Sequence, residues 1–165
     1  MAFGTGMRPS ELMALKWSAV DEVRGTVSVR EARIVGQDKS TKTHETRTLP
    51  LMPLARQAVE DRRRATDAEA LPYVFANPLT REALHDEQPA RKVWNRTLSE
   101  IGVRHRKAYA TRHTFATLLL MAGEPIERIS AWLGHKNPSM TYGHYARWVD
   151  ATAAPVSAAA LAALG

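Results

Sequence analysis

Three glycines punctuate the second half of this chain and leave room for little there except helices. Gly102 follows residues 90–101, Gly123 follows residues 111–122, and Gly134 follows residues 125–133. A glycine just past the last periodic residue is an ordinary helix stop. In the middle stretch Phe115, Leu118, Leu119 and Ala122 recur at helical spacing, which predicts that they form its inward stripe. Ile126, Ile129 and Leu133 do the same in the next stretch. Asn137-Pro138 then restarts a helix through Tyr145, with asparagine as N-cap and proline in the first turn, where its missing N–H is not needed.

The first half reads differently. Pro9 suits the first turn of a short helix, with Leu12, Leu15 and Trp17 along one side. Residues 26–35 (TVSVREARIV) are rich in β-branched side chains and predict a strand. Residues 36–40 predict a turn and residues 46–51 a returning strand, so the expected unit is a β-hairpin with polar ends. Residues 54–65 predict an amphipathic helix with a basic end. Residues 66–89 carry Pro72, Pro78 and Pro89 and are irregular, with a short strand expected at residues 73–76. The tail, residues 151–165, is alanine-rich and can form a last helix. There is no internal repeat. The expected class is mainly α with a small antiparallel β-hairpin sheet (α+β).

Bulk properties narrow the function class. The 165 residues suffice for one domain with its own core. A formal charge of +6 favours a polyanionic partner. With no cysteine, disulfides and thiolate metal sites are excluded. The six histidines lack metal-ligand spacing, and neither G-x-G-x-x-G, a P-loop nor H-E-x-x-H occurs, so no metal and no cofactor is expected. No apolar run approaches the ~20 residues of a membrane span. The first residues, MAFGTGMRPS, lack the regions of a signal peptide, and a cytoplasmic protein without a membrane partner is the expectation.

Five residues carry the chemistry. Arg112 stands at the start of a helix, where its fork can hold a phosphate at two points while backbone N–H groups add positive potential. Arg8 follows Gly-Thr-Gly-Met and opens a helix in the same way. Lys42, near the hairpin tip, can reach into a groove and protonate a departing 5′ oxygen; Lys39 competes for that role. His135, after the capping Gly134, can donate to a phosphate oxygen. Tyr145 is a poor nucleophile, with a pKa of ~10, unless its anion is stabilised by nearby cations. Tyr142, one turn earlier, competes with it.

Taken in order, these motifs resemble the tyrosine recombinases, the phage-integrase family. The matching pieces are Gly6-Met7-Arg8 with Glu11-Leu12, Lys42 before residues 47–51 (RTLPL), residues 109–117 (YATRHTFAT), Leu133-Gly134-His135, and Tyr145. They span residues 4–148, almost the whole chain. The resemblance implies that Arg8 and Arg112 clamp the scissile phosphate and Lys42 is the general acid. It makes His135 a phosphate ligand and proton partner, and it favours Tyr145 over Tyr142 as the nucleophile that forms a 3′-phosphotyrosyl bond. His113, beside Arg112, becomes an orienting residue. The bond energy kept in the covalent link makes ATP unnecessary. The partner is double-stranded DNA, and the working assembly on two duplexes is a homo-tetramer, with a monomer possible without DNA.

Two departures from the family pattern stand out. Three residues before the second arginine the family usually has histidine or lysine, and here stands Tyr109, which can hydrogen-bond a phosphate but is a poor base near neutral pH. The chain also begins close to the first motif. The expected organisation is a catalytic domain over residues 1–150, without its usual first helix and N-terminal DNA-binding domain, and a tail over residues 151–165 that can dock on a neighbouring subunit. The alternative is a truncated, catalytically silent DNA-binding remnant of an integrase. A basic RNA-binding protein is a weaker third reading, since it needs no such order of residues.

Overall fold

The computed structural model describes residues 1–40, 46–65, 71–77 and 80–149, the last four of these by backbone alone. The chain divides into two compact units, residues 1–115 and residues 116–165.

The first unit opens with a short helix that the sequence reading missed, α1 (Ala2–Thr5), closed by Gly6 at φ 62°. α2 follows at Pro9–Met13 with proline in its first turn. Of the side chains expected along that helix, Leu15 and Trp17 are buried but lie beyond its end, Trp17 in a 3-10 turn (Trp17–Ala19). Next come β1 (Val20–Asp21), β2 (Thr26–Val29), β3 (Glu31–Ile34), β4 (Gln37–Ser40) and β5 (Arg47–Pro50), then α3 (Pro53–Ala65) and α4 (Gln88–Glu100).

The hairpin expectation is half right. β5 does return antiparallel on β2, with Val27 opposite Leu49 and Val29 opposite Arg47, and β1 completes a three-stranded sheet. The alternation in β2 buries Val27 and Val29 together with Leu49, each worth roughly 1.5–3 kcal/mol of burial. Residues 26–35, however, do not form one strand. The chain breaks at Arg30, and β3 pairs with β4 in a separate two-stranded sheet. The turn is therefore Val35-Gly36, not residues 36–40. Both turn residues have positive φ, 47° and 74°, as a two-residue hairpin turn requires. Gly36 meets that demand without strain; a Cβ there would lie 2.8 Å from the His85 ring. The polar run Gln37-Asp38-Lys39-Ser40 looked like loop because β4 is largely exposed. The strand expected at residues 73–76 reduces to isolated bridges, Lys16 with Tyr73 and Ala76 with Ala83.

α5 (Ala110–Met121) joins the two units. Its buried face is Thr111, Arg112, Phe115, Ala116 and Leu120, whereas Leu118 is 58% exposed. The expected stripe of Phe115, Leu118, Leu119 and Ala122 is thus rotated by about one residue. A count of apolar side chains cannot assign an arginine to the inside, and Arg112 is inside. In the second unit α6 (Ile126–Leu133) buries Ile126, Ile129 and Leu133 and ends at Gly134 in the left-handed conformation. α7 (Pro138–Val149) packs on α6, and Asn137 caps it, its Oδ1 accepting from the Ser139 N–H at 2.9 Å. The architecture is mainly helical with small antiparallel sheets.

Candidate active site

In the first unit the two expected arginines belong to one charged cluster. Its centre is Glu11, a carboxylate 2% exposed. Glu11 lies three residues after Arg8, so one helical turn brings the two together. Its Oε1 accepts from Arg8 Nη1 at 2.8 Å. Its Oε2 accepts from the Arg8 backbone N–H at 2.8 Å and from Arg47 Nη2 at 2.7 Å. Arg47 arrives there because the β2–β5 register sets it opposite Val29. Burial pushes the Glu11 carboxyl up, but the hydrogen bond and charge of Arg47, then the backbone N–H and charge of Arg8, outweigh it and hold the group below its ordinary range.

Arg112 is the largest fully buried side chain among the described residues. Its Nη1 donates to the Gly6 carbonyl at 2.8 Å. Gly6 is left-handed, a conformation that costs a side-chain-bearing residue roughly 1 kcal/mol or more, and it closes α1 just before Arg8. Burial first, and the charge of Arg8 second, lower the Arg112 guanidinium to about 10; Tyr109 and Glu11 oppose this and Arg47 adds to it. At neutral pH the group is still a cation, held against burial and against two like charges. An anion placed at the cluster would offset the like-charge repulsion.

Tyr109 and His113 flank Arg112 on the outside. Tyr109 is 42% exposed and immediately precedes α5. Its ring meets the His113 ring edge-on, with centroids 5.4 Å apart at 72°. A cleft of about 220 Å³ also opens beside Glu11, lined by Met7, Lys16, Arg30 and Glu31 among others, so its charge is mixed.

In the second unit His135 follows the α6 cap, and its Nδ1 lies 2.7 Å from Thr141 Oγ1 of α7. Thr141 is fully buried, so the imidazole is oriented from inside, with Nε2 as its other polar edge. Tyr145 lies one helical turn beyond Thr141 on the same side of α7 and is 4% exposed, whereas its competitor Tyr142 is 49% exposed. The His144 and Tyr145 rings meet edge-on at 6.2 Å. The expected five-residue set is thus distributed over both units: Arg8 and Arg112 together in the first, His135 and Tyr145 in the second. Lys42 lies outside the described residues.

Glu11, Arg47 and Thr141 were not singled out for a role by sequence reasoning. Glu11 and Arg47 stood inside quoted motifs, and the three-residue spacing of Glu11 from Arg8 was the available signal. Nothing local connects Arg47 to either, because strand register decides that contact. Among the described residues there is no cluster of three or more histidine, aspartate or glutamate side chains able to hold a metal. No described helix is long and apolar enough to cross a membrane.

Comparison with known proteins bears on the family and the fold. The model of the Phage integrase family matches residues 1–151. Among curated relatives, a "Tyrosine recombinase XerC-like" protein of Caldanaerobacter subterraneus subsp. tengcongensis is 30% identical over 88% of this chain and 43% of its own length. "Prophage integrase IntR" of Escherichia coli strain K12 is 30% identical over 88% of this chain and 41% of its own length. The chain thus spans less than half the length of these relatives. Among solved structures, XerA recombinase superposes with a TM-score of 0.70 at 24% identity, covering 99% of this chain and 54% of that one. The Tn1549 transposon integrase, solved in complex with a circular intermediate DNA, gives 0.75 at 20% identity over 99% of this chain and 55% of its own. These two share the fold. The ordered motifs, the fold and the family match over residues 1–151 show that the chain belongs to the phage integrase family, the tyrosine recombinases.

Proposed function

We propose that this chain carries out site-specific DNA strand cleavage and rejoining through a 3′-phosphotyrosyl intermediate, as the catalytic domain (residues 1–150) of an integrase that acts on double-stranded DNA. The observation that carries the reading is the buried Arg112, oriented by the Gly6 carbonyl and electrostatically coupled to Arg8, which Glu11 in turn orients. Such a pair is oriented in advance for one tetrahedral anion, although Arg112, like Tyr145, is buried and must be reached. A phosphate there would offset the pair's cationic repulsion.

In this reading Arg8 and Arg112 hold the non-bridging oxygens of the scissile phosphate. His135 donates its Nε2 proton to the same group while Thr141 fixes the ring. The Tyr145 oxygen gives up its proton to solvent and attacks phosphorus, the bond to the 5′ oxygen breaks, and Lys42 protonates that leaving oxygen. Tyr145 is buried, so attack requires that α7 uncover it. Rejoining reverses the roles, with a free 5′-hydroxyl from another strand as nucleophile. Relatives with matching names are called recombinases and integrases, and neighbours solved with DNA support the partner class. The proposed assembly on DNA is a tetramer on two duplexes, with residues 151–165 contributing to contacts between subunits.

A randomised pool of nicked suicide duplexes tests the reading directly. The nick lets the cleaved fragment diffuse away and traps the covalent adduct on a denaturing gel. The expected result is an adduct that is lost in Tyr145→Phe and kept in Tyr142→Phe, while non-covalent DNA binding persists in both, since phosphate affinity comes from the basic residues. The absence of any adduct, or its survival in Tyr145→Phe, overturns the assignment.

A further inference from the structure

An arginine on the core side of a strand asks for an explanation. Side chains two apart on a strand share a face. Arg47 therefore lies on the same side of β5 as the fully buried Leu49, and it stands across from the buried Val29 of β2. Its side chain is 11% exposed. An aliphatic residue there would continue the apolar face that Val27, Val29 and Leu49 form. Burying an ion pair in place of such a residue adds little to stability and often subtracts from it. The charge of Arg47 thus points to a role other than holding the fold.

Glu11 divides its two oxygens between the two arginines. Oε1 accepts from Arg8 Nη1 at 2.8 Å. Oε2 accepts from the Arg8 backbone N–H at 2.8 Å and from Arg47 Nη2 at 2.7 Å. The last torsion of a glutamate is broad and roughly two-fold, so one backbone N–H does not by itself fix the carboxylate plane. Arg47 adds a charge-assisted bond to the same oxygen. With the plane fixed, Oε1 stays where it meets the Arg8 fork. Arg47 also keeps the carboxyl ionised. Burial pushes the group up, and the hydrogen bond and charge of Arg47 bring it down more than Arg8 does. The charge of Glu11 then supports Arg112 as a cation, whereas the charge of Arg47 opposes it. In the described contacts, Arg47 helps the arginine pair through Glu11.

The remaining charges around α2 are engaged with one another. Lys16 Nζ donates to Glu31 Oε2 at 2.6 Å and lies 3.5 Å from Asp38 Oδ2. Arg33 Nη1 donates to Asp38 Oδ1 at 2.6 Å, and the Tyr73 hydroxyl donates to Asp38 Oδ2 at 2.6 Å. Arg30 lines the cleft that Glu11 borders, and Tyr109 acts on Arg112.

We infer that Arg47 is a positioning residue for strand cleavage: held on the core face of β5, it fixes the Glu11 carboxylate, which in turn aims Arg8 at the scissile phosphate. The inference rests on the reading of Arg8 and Arg112 as the phosphate clamp. Arg47 itself does not touch the phosphate, so its replacement should slow the chemistry and leave DNA affinity nearly unchanged. Misplacement of a site group by about 1 Å can cost roughly a hundredfold in rate.

The experiment measures single-turnover adduct formation by the intact chain on the nicked suicide duplexes, with DNA binding recorded separately. Arg47→Met should form adduct about ten- to a hundredfold more slowly and bind duplex within about threefold of wild type. Arg47→Lys keeps the charge without the planar fork and should recover part of the rate. The Glu11 carboxyl, followed by carbon NMR in the free protein, should titrate at higher pH in Arg47→Met than in wild type. The ionised form is the one that holds Arg8, and it is lost as pH falls through the folded value. The acid limb of the adduct rate, scanned from about pH 4 to about pH 8, should therefore move upward in Arg47→Met and stay near its wild-type place in Arg47→Lys. In a Glu11→Gln background, Arg47→Met should slow adduct formation by less than about twofold more, since the residue through which it acts is already altered.

A further loss there as large as in the wild-type background would put Arg47 on the DNA itself and overturn the inference. So would an Arg47→Met chain that is unfolded at the assay temperature, since Arg47 would then be holding the fold. A Glu11 titration that does not move overturns it whatever the DNA measurements give. If wild type forms no adduct, or Arg8→Ala forms it at the wild-type rate, the clamp reading falls and this inference with it. If Arg8→Ala fails while Arg47→Met is unaffected, only the inference falls.

Discussion

The two units hold their candidate site residues by different physics. In the first, Arg8 and Arg47 pair with the buried Glu11, and Arg112 is coupled to them electrostatically and bonded to the Gly6 carbonyl. In the second, His135 is placed by a helix stop, a hydrogen bond to Thr141 and an asparagine cap. The first arrangement gives strong orientation but is brittle, because removing Glu11 leaves the largely buried Arg47 without that counter-charge. The second is weaker per contact and more tolerant.

That contrast breaks most visibly at Glu11. Glu11→Ala should destabilise the chain by about 2–4 kcal/mol, mostly through the largely buried Arg47, with the more exposed Arg8 contributing little. Chemical denaturation checks this, and a loss below about 1 kcal/mol would mean the cluster is not an interdependent unit. Acid sharpens the same point. The folded Glu11 carboxyl lies below its ordinary value near 4.5, so its contribution is complete above that pH and is lost as pH falls through the lower folded value. The fall in stability on acidification should therefore be shallower in Glu11→Gln than in the wild type; parallel curves would show that other carboxylates dominate.

On the other side of the comparison, Thr141→Val should cost only about 1–2 kcal/mol, the loss of one hydrogen bond at a buried hydroxyl. It should slow adduct formation by freeing the His135 ring, while the acid-stability profile associated with Glu11 stays unchanged. A loss as large as that of Glu11→Ala would erase the distinction between the units. The smallest effect is expected at the hairpin turn. Val35 is β-branched yet has φ 47°, a conformation asparagine adopts more readily. Val35→Asn should stabilise by about 0.5–1 kcal/mol; thermal unfolding that shifts downward instead would show that the valine side chain holds the turn.

Much of this was legible in the residues. The helix stops at Gly102, Gly123 and Gly134, the Asn137-Pro138 start and the Ile126, Ile129, Leu133 face follow from local chemistry, and the structure has them where the pattern predicts. The order of the five motifs identified the family. The split of residues 26–35 between two sheets was not legible, because a run of β-branched residues says that a strand forms but not with which partner. The phase of α5 failed for a related reason. Its apolar residues fit one stripe, while the buried stripe includes Arg112, whose place is decided by Gly6, distant in sequence.

Local sequence, then, determined which segments become helix or strand and which polar residues are candidates for chemistry, because caps, stops and periodicity act over a few residues. Only the tertiary structure decided which charges share a cluster. Glu11 meets Arg47 through the register of β2 and β5, and Asp38 meets Tyr73 through a backbone bridge to Lys16. Contacts between residues distant in the chain depend on how strands and turns close the intervening loops, and neither charge nor periodicity near any one residue encodes that closure.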